Sequence, residues 1–275
     1  MGIFRRSGRT VVVTGAASGI GLATAQLLEE RGQRVITSDL RNADVIADLA
    51  TPDGRAAFVS GVRRLARNRV DAVIANAGGG PPETLVQLNF FGAVATLEGL
   101  RPLLAESRGP RAVAVSSISS LRQQRPELVE ACLKSDEPAA IAAARTIMAG
   151  NNARPADGLP EAVQAPLDLY GSSKFALQRW VRKNAGKPGW AGAGILLNAV
   201  ALGFYDTPAA AYVLKNRQAR AQMAKMFPLK GAFPGRPEEA AEILCWLTSP
   251  ENTQITGQIL FADGGLEVSS RGETQ

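Results

Sequence analysis

The chain has 275 residues, 45% of them hydrophobic and 20% charged, enough apolar material for a large core within one domain. A net charge of +6 raises nucleic acid as a partner. Yet the basic residues (Arg31, Arg63, Arg101, Arg145, Arg182 and Arg217 among them) are scattered, and aromatics at 5% offer no stacking platform, so no nucleic-acid partner is expected. The absence of histidine excludes Ser-His-Asp and Cys-His nucleophile systems and the common histidine-bearing metal sites, so no metal is expected.

MGIFRRSGRT passes straight into VVVTG without a separate apolar leader segment, and no run of about 20 apolar residues occurs anywhere. Neither secretion nor a membrane partner is therefore expected. Cys132 and Cys245 are far apart and lack CxxC spacing, which suits a reduced, cytoplasmic setting. Short β-branched runs then alternate with periodic alanine- and leucine-rich segments. The strand candidates are Thr10–Thr14, Arg34–Asp39, Val70–Ala75, Arg111–Ser117, Gly194–Ala201 and Gln258–Ala262. Helical spacing marks Ile20–Arg31, Pro52–Arg67, Glu83–Leu104, Tyr170–Lys183 and Pro237–Leu247. This alternation predicts a single-domain, Rossmann-like α/β fold, a doubly wound parallel sheet with helices on both faces and ligands at the carboxyl ends of its strands. Two regions interrupt the alternation: a helical insertion at about 121–169 and a substrate-loop region at about 204–235 that carries Phe204, Tyr205, Tyr212, Met223, Met226, Phe227 and Phe233.

The first strand leads into Gly15-x-x-x-Gly19-x-Gly21 and then a helix. Glycines there permit a tight turn and close backbone approach, while the helix N-terminus offers free N–H groups to a pyrophosphate. Asp39 ends the next strand 18 residues after Gly21, placed to accept bonds from the adenosine ribose hydroxyls. A carboxylate there repels a 2′-phosphate, which favours NAD(H) over NADP(H); Arg41 is the one nearby residue that argues the other way.

Taken together, these residues resemble the short-chain dehydrogenase/reductase family along nearly the whole chain. TGAASGIG, with Gly15, Ser18, Gly19, Ile20 and Gly21, is similar to its cofactor turn. ADL resembles the segment in which Asp48 and Leu49 meet adenine, and ANAG, with Asn76, Ala77 and Gly78, resembles its strand-end motif. Asn89 in LNFFG, Ser117 in AVSSIS, and Tyr170 and Lys174 in YGSSK match its catalytic set. LNAVALGFYDTP, with Gly203 and Thr207, resembles the segment that meets nicotinamide, although Leu202 stands where the family commonly has proline.

The resemblance implies roles. Tyr170 is the acid/base, Ser117 bonds the substrate oxygen, Lys174 holds the nicotinamide ribose, and Asn89 holds a water linking Lys174 to solvent. A tyrosine's ordinary pKa of about 10 is about three units too high for a base near neutrality, a gap of ~4 kcal/mol. Lys174 at i+4 shares its helix face, and an ammonium about 5 Å away is expected to supply ~3 kcal/mol towards the phenolate. Alone, a Tyr-x-x-x-Lys pair is an ordinary surface pair; the ordered combination makes it catalytic.

Two spacings depart from the family pattern. Asn89 follows Asn76 by only 13 residues, and Ser117 precedes Tyr170 by 53, with Asp157 where a serine at the usual spacing would fall. The intervening segment carries two predicted helices, Pro126–Lys134 and Glu137–Met148. This combination resembles the subgroup of bacterial 3α-hydroxysteroid dehydrogenase/carbonyl reductases. It implies a bulky hydrophobic small-molecule substrate, a steroid-like 3-hydroxy or 3-keto compound first and another cyclic, terpenoid or aromatic alcohol second. The implied assembly is a homodimer or homotetramer, with the insertion acting as a lid, an interface element or both. A non-catalytic NAD-sensing protein on the same fold is the competing class.

Overall fold

The computed structural model describes residues 8–150 and 161–273. Strand β1 (Thr10–Thr14) is buried along its whole length, which explains its uninterrupted TVVVT. Helix α1 (Gly19–Glu30) carries the chain to β2 (Arg34–Asp39), and a two-residue strand, β3 (Val45–Ile46), adds the sheet edge. Thr51 caps α2 (Pro52–Ala66) by accepting the Gly54 N–H, with proline at the first helical position. Beyond β4 (Ala72–Ala75) lie α3 (Pro82–Val86), a π-helical segment at Gln87–Gly92, and α4 (Ala93–Ala105). The sheet continues with β5 (Arg111–Ser117), followed by the helices α5 (Pro126–Leu133), α6 (Glu137–Met148) and α7 (Glu161–Ala185). Strand β6 (Leu196–Leu202), the short helices α8 (Ala211–Leu214) and α9 (Arg217–Ala224), α10 (Pro237–Leu247), β7 (Ile259–Ala262) and α11 (Leu266–Arg271) complete the described chain.

The seven strands run in the order β3-β2-β1-β4-β5-β6-β7, every pairing parallel. Alternate residues serve opposite faces. Val11 and Val13 pack with Leu28 of α1 and Leu244 of α10, whereas Val12 and Val73 pack with Phe58 of α2, Leu97 of α4 and Leu177 of α7. The chain runs outward from β1 to β2 and then returns to β4 on the other side of β1, so a crevice opens beyond their carboxyl ends. No helix among the described residues is long and apolar enough to cross a membrane.

Two of the expected helices differ from the sequence reading. The helix expected from Glu83 to Leu104 contains the π-helical segment, a widened turn that hydrophobic periodicity does not distinguish from α-helix. Helix α7 is already present at Glu161, so Tyr170, expected at its start, lies well inside it, as does Pro166. Asp157 lies outside the described residues, as does the rest of 151–160.

Helices α5 and α6 pack on α7, and α6 also meets α3. Asp136 caps α6 through the Ala139 N–H, and Glu137 receives both guanidinium arms of Arg55 at 2.7 and 2.5 Å. Arg125, just before α5, donates its backbone N–H to Ser172 and its side chain to Asp168 at 2.7 Å. Asp168 is 1% exposed and lies two residues ahead of Tyr170, so this buried pair fixes α7 against the inserted helices. Removing one member of a buried pair costs more than the pair contributes. Asp168→Ala is expected to lower unfolding stability by roughly 3 kcal/mol, read as a lower urea midpoint at unchanged m-value.

Candidate active site

At the end of β1 the backbone is crowded. A methyl on Gly21 would lie 2.0 Å from the Gly15 carbonyl oxygen, and one on Gly15 would lie 2.8 Å from Asn76 Nδ2. Gly15 and Gly19 also have φ of +69° and +53°, a region that penalises any residue with a Cβ. Asn76 staples β1 to β4, with Nδ2 donating to the Thr14 and Gly15 carbonyls while the Thr14 hydroxyl accepts the N–H groups of Asn76 and Ala77. Ser18 gives α1 no side-chain cap, which leaves the first amides of that helix without a side-chain partner at the crevice that Ser18, Gly19 and Ile20 line.

Asp39, at the end of β2, accepts the Ala17 N–H at 2.9 Å and the Leu40 N–H at 2.7 Å. Those bonds lock the carboxylate against the glycine turn, on the rim of the same crevice. Asp48 accepts the Ala50 N–H and is exposed, while Leu49 is buried behind it; both line this end. Arg41 is exposed and is not among the lining residues. Open glycine turn, uncapped helix end and fixed carboxylate together fit a dinucleotide, with pyrophosphate at the turn and adenosine ribose at Asp39.

The floor is formed by β5 and α7. The Tyr170 hydroxyl is hydrogen-bonded to Ser117, whose own Oγ accepts the Ser119 N–H at 3.1 Å. Lys174, one turn along α7, donates Nζ to the Val115 carbonyl at 2.8 Å and lies 5.9 Å from the Tyr170 ring centroid. Asn89 is fully buried in the π-helical segment; its Oδ1 accepts the Gly79 N–H and its Nδ2 donates to Ser173 on α7. A methyl on Gly78 would lie 2.9 Å from Lys174 Nζ and 3.0 Å from Asn89 Oδ1, so both polar groups converge on that glycine.

Burial sets the electrostatics. It pushes the Tyr170 hydroxyl above its ordinary 10, with the Ser117 bond pulling part of the way back. It pulls Lys174 down to about 8. Lys174 donates to Val115 and faces the Tyr170 ring, with Tyr170 itself half-buried on the cleft wall.

The roof begins where β6 ends. Gly203 passes so close to β7 that a methyl there would lie 2.7 Å from Asp263 Cα. Thr207 packs on Gly19, placing its Cγ2 3.1 Å from a methyl built there. From Phe204 to Gly235 the chain forms a lid closed at its base: Gly235 N–H donates to Phe204 O at 3.0 Å and Asp206 N–H to Gly235 O at 2.8 Å. Phe233 packs against both Phe204 and Phe227 within it, with centroids 5.2 and 5.1 Å apart. Tyr212, Met223, Met226 and Phe227 face a cleft of about 1140 Å³ running from Asp39 past Tyr170 to the lid.

The residues nominated from the sequence, from Gly15 to Thr207, line this one region, except Gly21 and Asn89, which stand behind its wall against Gly15 and Ser173. Helices α5 and α6 do not line the cleft; among the described residues of the insertion only its ends, including Leu121, Arg122, Pro166 and Leu167, do so. Four contributors among the lining residues went unrecognised. Ser38 has a buried hydroxyl without a partner beside Asp39, and Leu266 and Ser270 come from α11, too short to show a periodic signal. Arg122 carried no motif.

The short chain dehydrogenase family model matches residues 9–129, and the one described as enoyl-(acyl carrier protein) reductase matches 160–267. The sequence is 32% identical to the 3-alpha-hydroxysteroid dehydrogenase/carbonyl reductase of Comamonas testosteroni, over 95% of this chain and 97% of that one. It is 29% identical to the cis-4-hydroxycyclohexanecarboxylate dehydrogenase of Sinomonas cyclohexanicum, over 94% and 96%. The crystal structure of 3-alpha-hydroxysteroid dehydrogenase from Pseudomonas sp. B-0831, complexed with NADH, aligns with a TM-score of 0.82 at 32% identity, covering 97% of this chain and all of that one.

A lysine whose pKa falls to about 8 on folding from 10.5 when exposed is carried at a cost. The cost, about 3 kcal/mol, is full below pH 8 and fades as pH rises towards 10.5, because over that interval only the unfolded chain holds the extra proton. Lys174→Met is therefore expected to raise the melting temperature at pH 7 relative to the parent. Thermal unfolding at pH 7 and at pH 10 should show the gain at the lower pH and little of it at the higher.

Proposed function

Since the chain belongs to the short-chain dehydrogenase/reductase family, we propose that it is an NAD(H)-dependent alcohol dehydrogenase/carbonyl reductase. Its substrate in this reading is a bulky, mainly apolar secondary alcohol or ketone, a steroid-like 3-hydroxy or 3-keto compound first. The observation that carries it is the Tyr170–Ser117 hydrogen bond beside buried Lys174, between a dinucleotide cradle and an apolar lid. Solved and curated relatives described as 3-alpha-hydroxysteroid dehydrogenases support the substrate class, and the NADH complex of one supports the cofactor.

In this reading the turn from Gly15 to Gly21 takes the pyrophosphate, and Asp39 the adenosine ribose. Asp48 and Leu49 flank adenine, Asn76 to Gly78 pass beside the cofactor, Lys174 holds the nicotinamide ribose, and Gly203 and Thr207 face the carboxamide. When bound, the nicotinamide supplies hydride to the carbonyl carbon, or takes it from the carbinol carbon in the reverse direction. Ser117 donates to the substrate oxygen, and Tyr170 protonates that oxygen during reduction or removes its proton during oxidation. Asn89, held by Gly79 and Ser173, keeps the Lys174 helix and the Gly78 turn in register. A cytoplasmic setting suits the two buried, unbridged cysteines, and α5 and α6 cover the outer side of α7 in a way that favours a homodimer over a tetramer.

Burial raises the Tyr170 pKa, so at neutral pH the tyrosine is a loaded acid and an unready base. Ketone reduction should thus be nearly flat across neutral pH, while alcohol oxidation should climb as pH rises above 7. Loss of NADH absorbance against a panel of cyclic ketones is the primary test. Tyr170→Phe is expected to lower turnover about 10²–10⁴-fold, the usual range for an acid/base group, and retained activity would remove this mechanism. NADH should be preferred to NADPH, with the preference reduced in Asp39→Ala; a strong NADPH preference in the parent would contradict the role given to Asp39.

A further inference from the structure

Tyr170, Lys174 and Gln178 follow one another at intervals of four along α7, so they share one face of that helix. Each sends a polar group to β5 or to the short turn that follows it, Ile118–Leu121. Tyr170 is bonded to Ser117, and Lys174 donates to the Val115 carbonyl. Gln178 makes a third rung: its Nε2 donates to Ser116 Oγ at 2.9 Å and to Ser120 Oγ at 2.7 Å. Ser116 Oγ in turn donates to the Lys174 carbonyl at 3.2 Å, which joins Gln178 to Lys174 through a hydroxyl of β5. Gln178 itself is not among the residues that line the cleft.

Burial makes this rung demanding. Gln178 is 6% exposed, and Ser116 and Ser120 are each 2% exposed. Apolar packing of α7 on the sheet is non-directional and tolerates a small slide of the helix along the strand. An amide and two hydroxyls shut away from water tolerate far less, because a slide leaves them unpaired. Close packing acts in the same sense: a methyl on Gly171 would lie 2.4 Å from the Ser119 carbonyl oxygen. Ser116 and Ser117 are neighbours on β5, so any shift of α7 that breaks the Gln178 bonds also parts the Tyr170 and Ser117 hydroxyls.

We infer that Gln178 is a positioning residue for the proposed reaction: it fixes the register of α7 on β5 and thereby holds the Tyr170 and Ser117 hydroxyls towards one substrate oxygen. It acts through those two groups and touches neither substrate nor cofactor. The inference rests on the dehydrogenase reading and adds to it a residue outside the set of Asn89, Ser117, Tyr170 and Lys174.

Gln178→Leu keeps the bulk of the side chain and removes both bonds. With NADH and a cyclic ketone that the parent reduces, kcat is expected to fall about 10- to 100-fold, the scale of a displacement approaching 1 Å. NADH affinity, read by fluorescence titration, should stay unchanged, because the glycine turn and Asp39 belong to the β1 and β2 side of the crevice. The Ser117 bond draws the Tyr170 pKa down, so its weakening should also move the rise of alcohol oxidation to higher pH. Two hydroxyls left buried lower the unfolding midpoint of this variant; S116A/S120A/Q178L removes them and should regain stability while kcat stays low. A folded Gln178→Leu protein with the parent's kcat and pH profile, or recovery of kcat together with stability in the triple variant, reduces Gln178 to packing and leaves the dehydrogenase reading standing. A fall in kcat matched by a fall in NADH affinity also overturns the inference, since the whole site is then disturbed. A parent that turns over no ketone or alcohol of the panel removes the dehydrogenase reading and this inference with it.

Discussion

The site depends on how closely backbone can approach backbone where β1 leaves the sheet. Gly21 returns against the Gly15 carbonyl, and the Asn76 amide fills the remaining space while binding that same carbonyl. No side chain larger than hydrogen fits at Gly21, so the helix starts close to the strand and keeps its first amides turned into the crevice. Asp39 is locked to this turn through the Ala17 N–H, and Thr207 rests on Gly19, so the Asp39 end of the crevice and the base of the lid both take their positions from the same few atoms. Movement of that turn would displace the Asp39 carboxylate and the roof together.

The floor obeys a different rule, in which burial opposes charge. Tyr170 and Lys174 share one helix face, and each is driven towards its neutral form by the packing that orders it. The surrounding structure offsets part of this: the Ser117 bond pulls the tyrosine back towards the phenolate, and the Val115 carbonyl accepts from the lysine ammonium. In the proposed reaction such a pair is suited to donating a proton at neutral pH. A positive charge beside the tyrosine, as an oxidised nicotinamide would bring, favours the phenolate needed for the reverse step. The direction of catalysis is thus coupled to the charge of the ligand already in the crevice.

Much of this could be read in the sequence because glycine and β-branched residues mark their own places. The bounds of β1, β2 and β5 coincide with their apolar runs, and the order of motifs along the chain becomes an order in space once the parallel sheet is granted. Other features leave no local trace. Strand β3 is two residues long and held by pairing with β2, and the π-helical segment around Asn89 adds less than a turn to an otherwise regular pattern. Helix α7 begins at least nine residues before the expected Tyr170 start and passes through Pro166. At the site, Ser38 and α11 were missed because their contribution comes from tertiary placement, and the Lys174 bond to Val115 went unforeseen because spacing along a helix says nothing of where an ammonium finds its carbonyl.

The lid starts and finishes at one point, with Phe204 and Gly235 hydrogen-bonded to each other and Tyr205 tied to the Ala262 carbonyl of β7. Its closure entropy is therefore met locally, and changes in its length or composition are felt weakly by the sheet. That makes the segment a replaceable cassette. A change of loop there would reshape the roof of the cleft while leaving the Tyr170–Lys174 floor, which belongs to β5 and α7, where it stands.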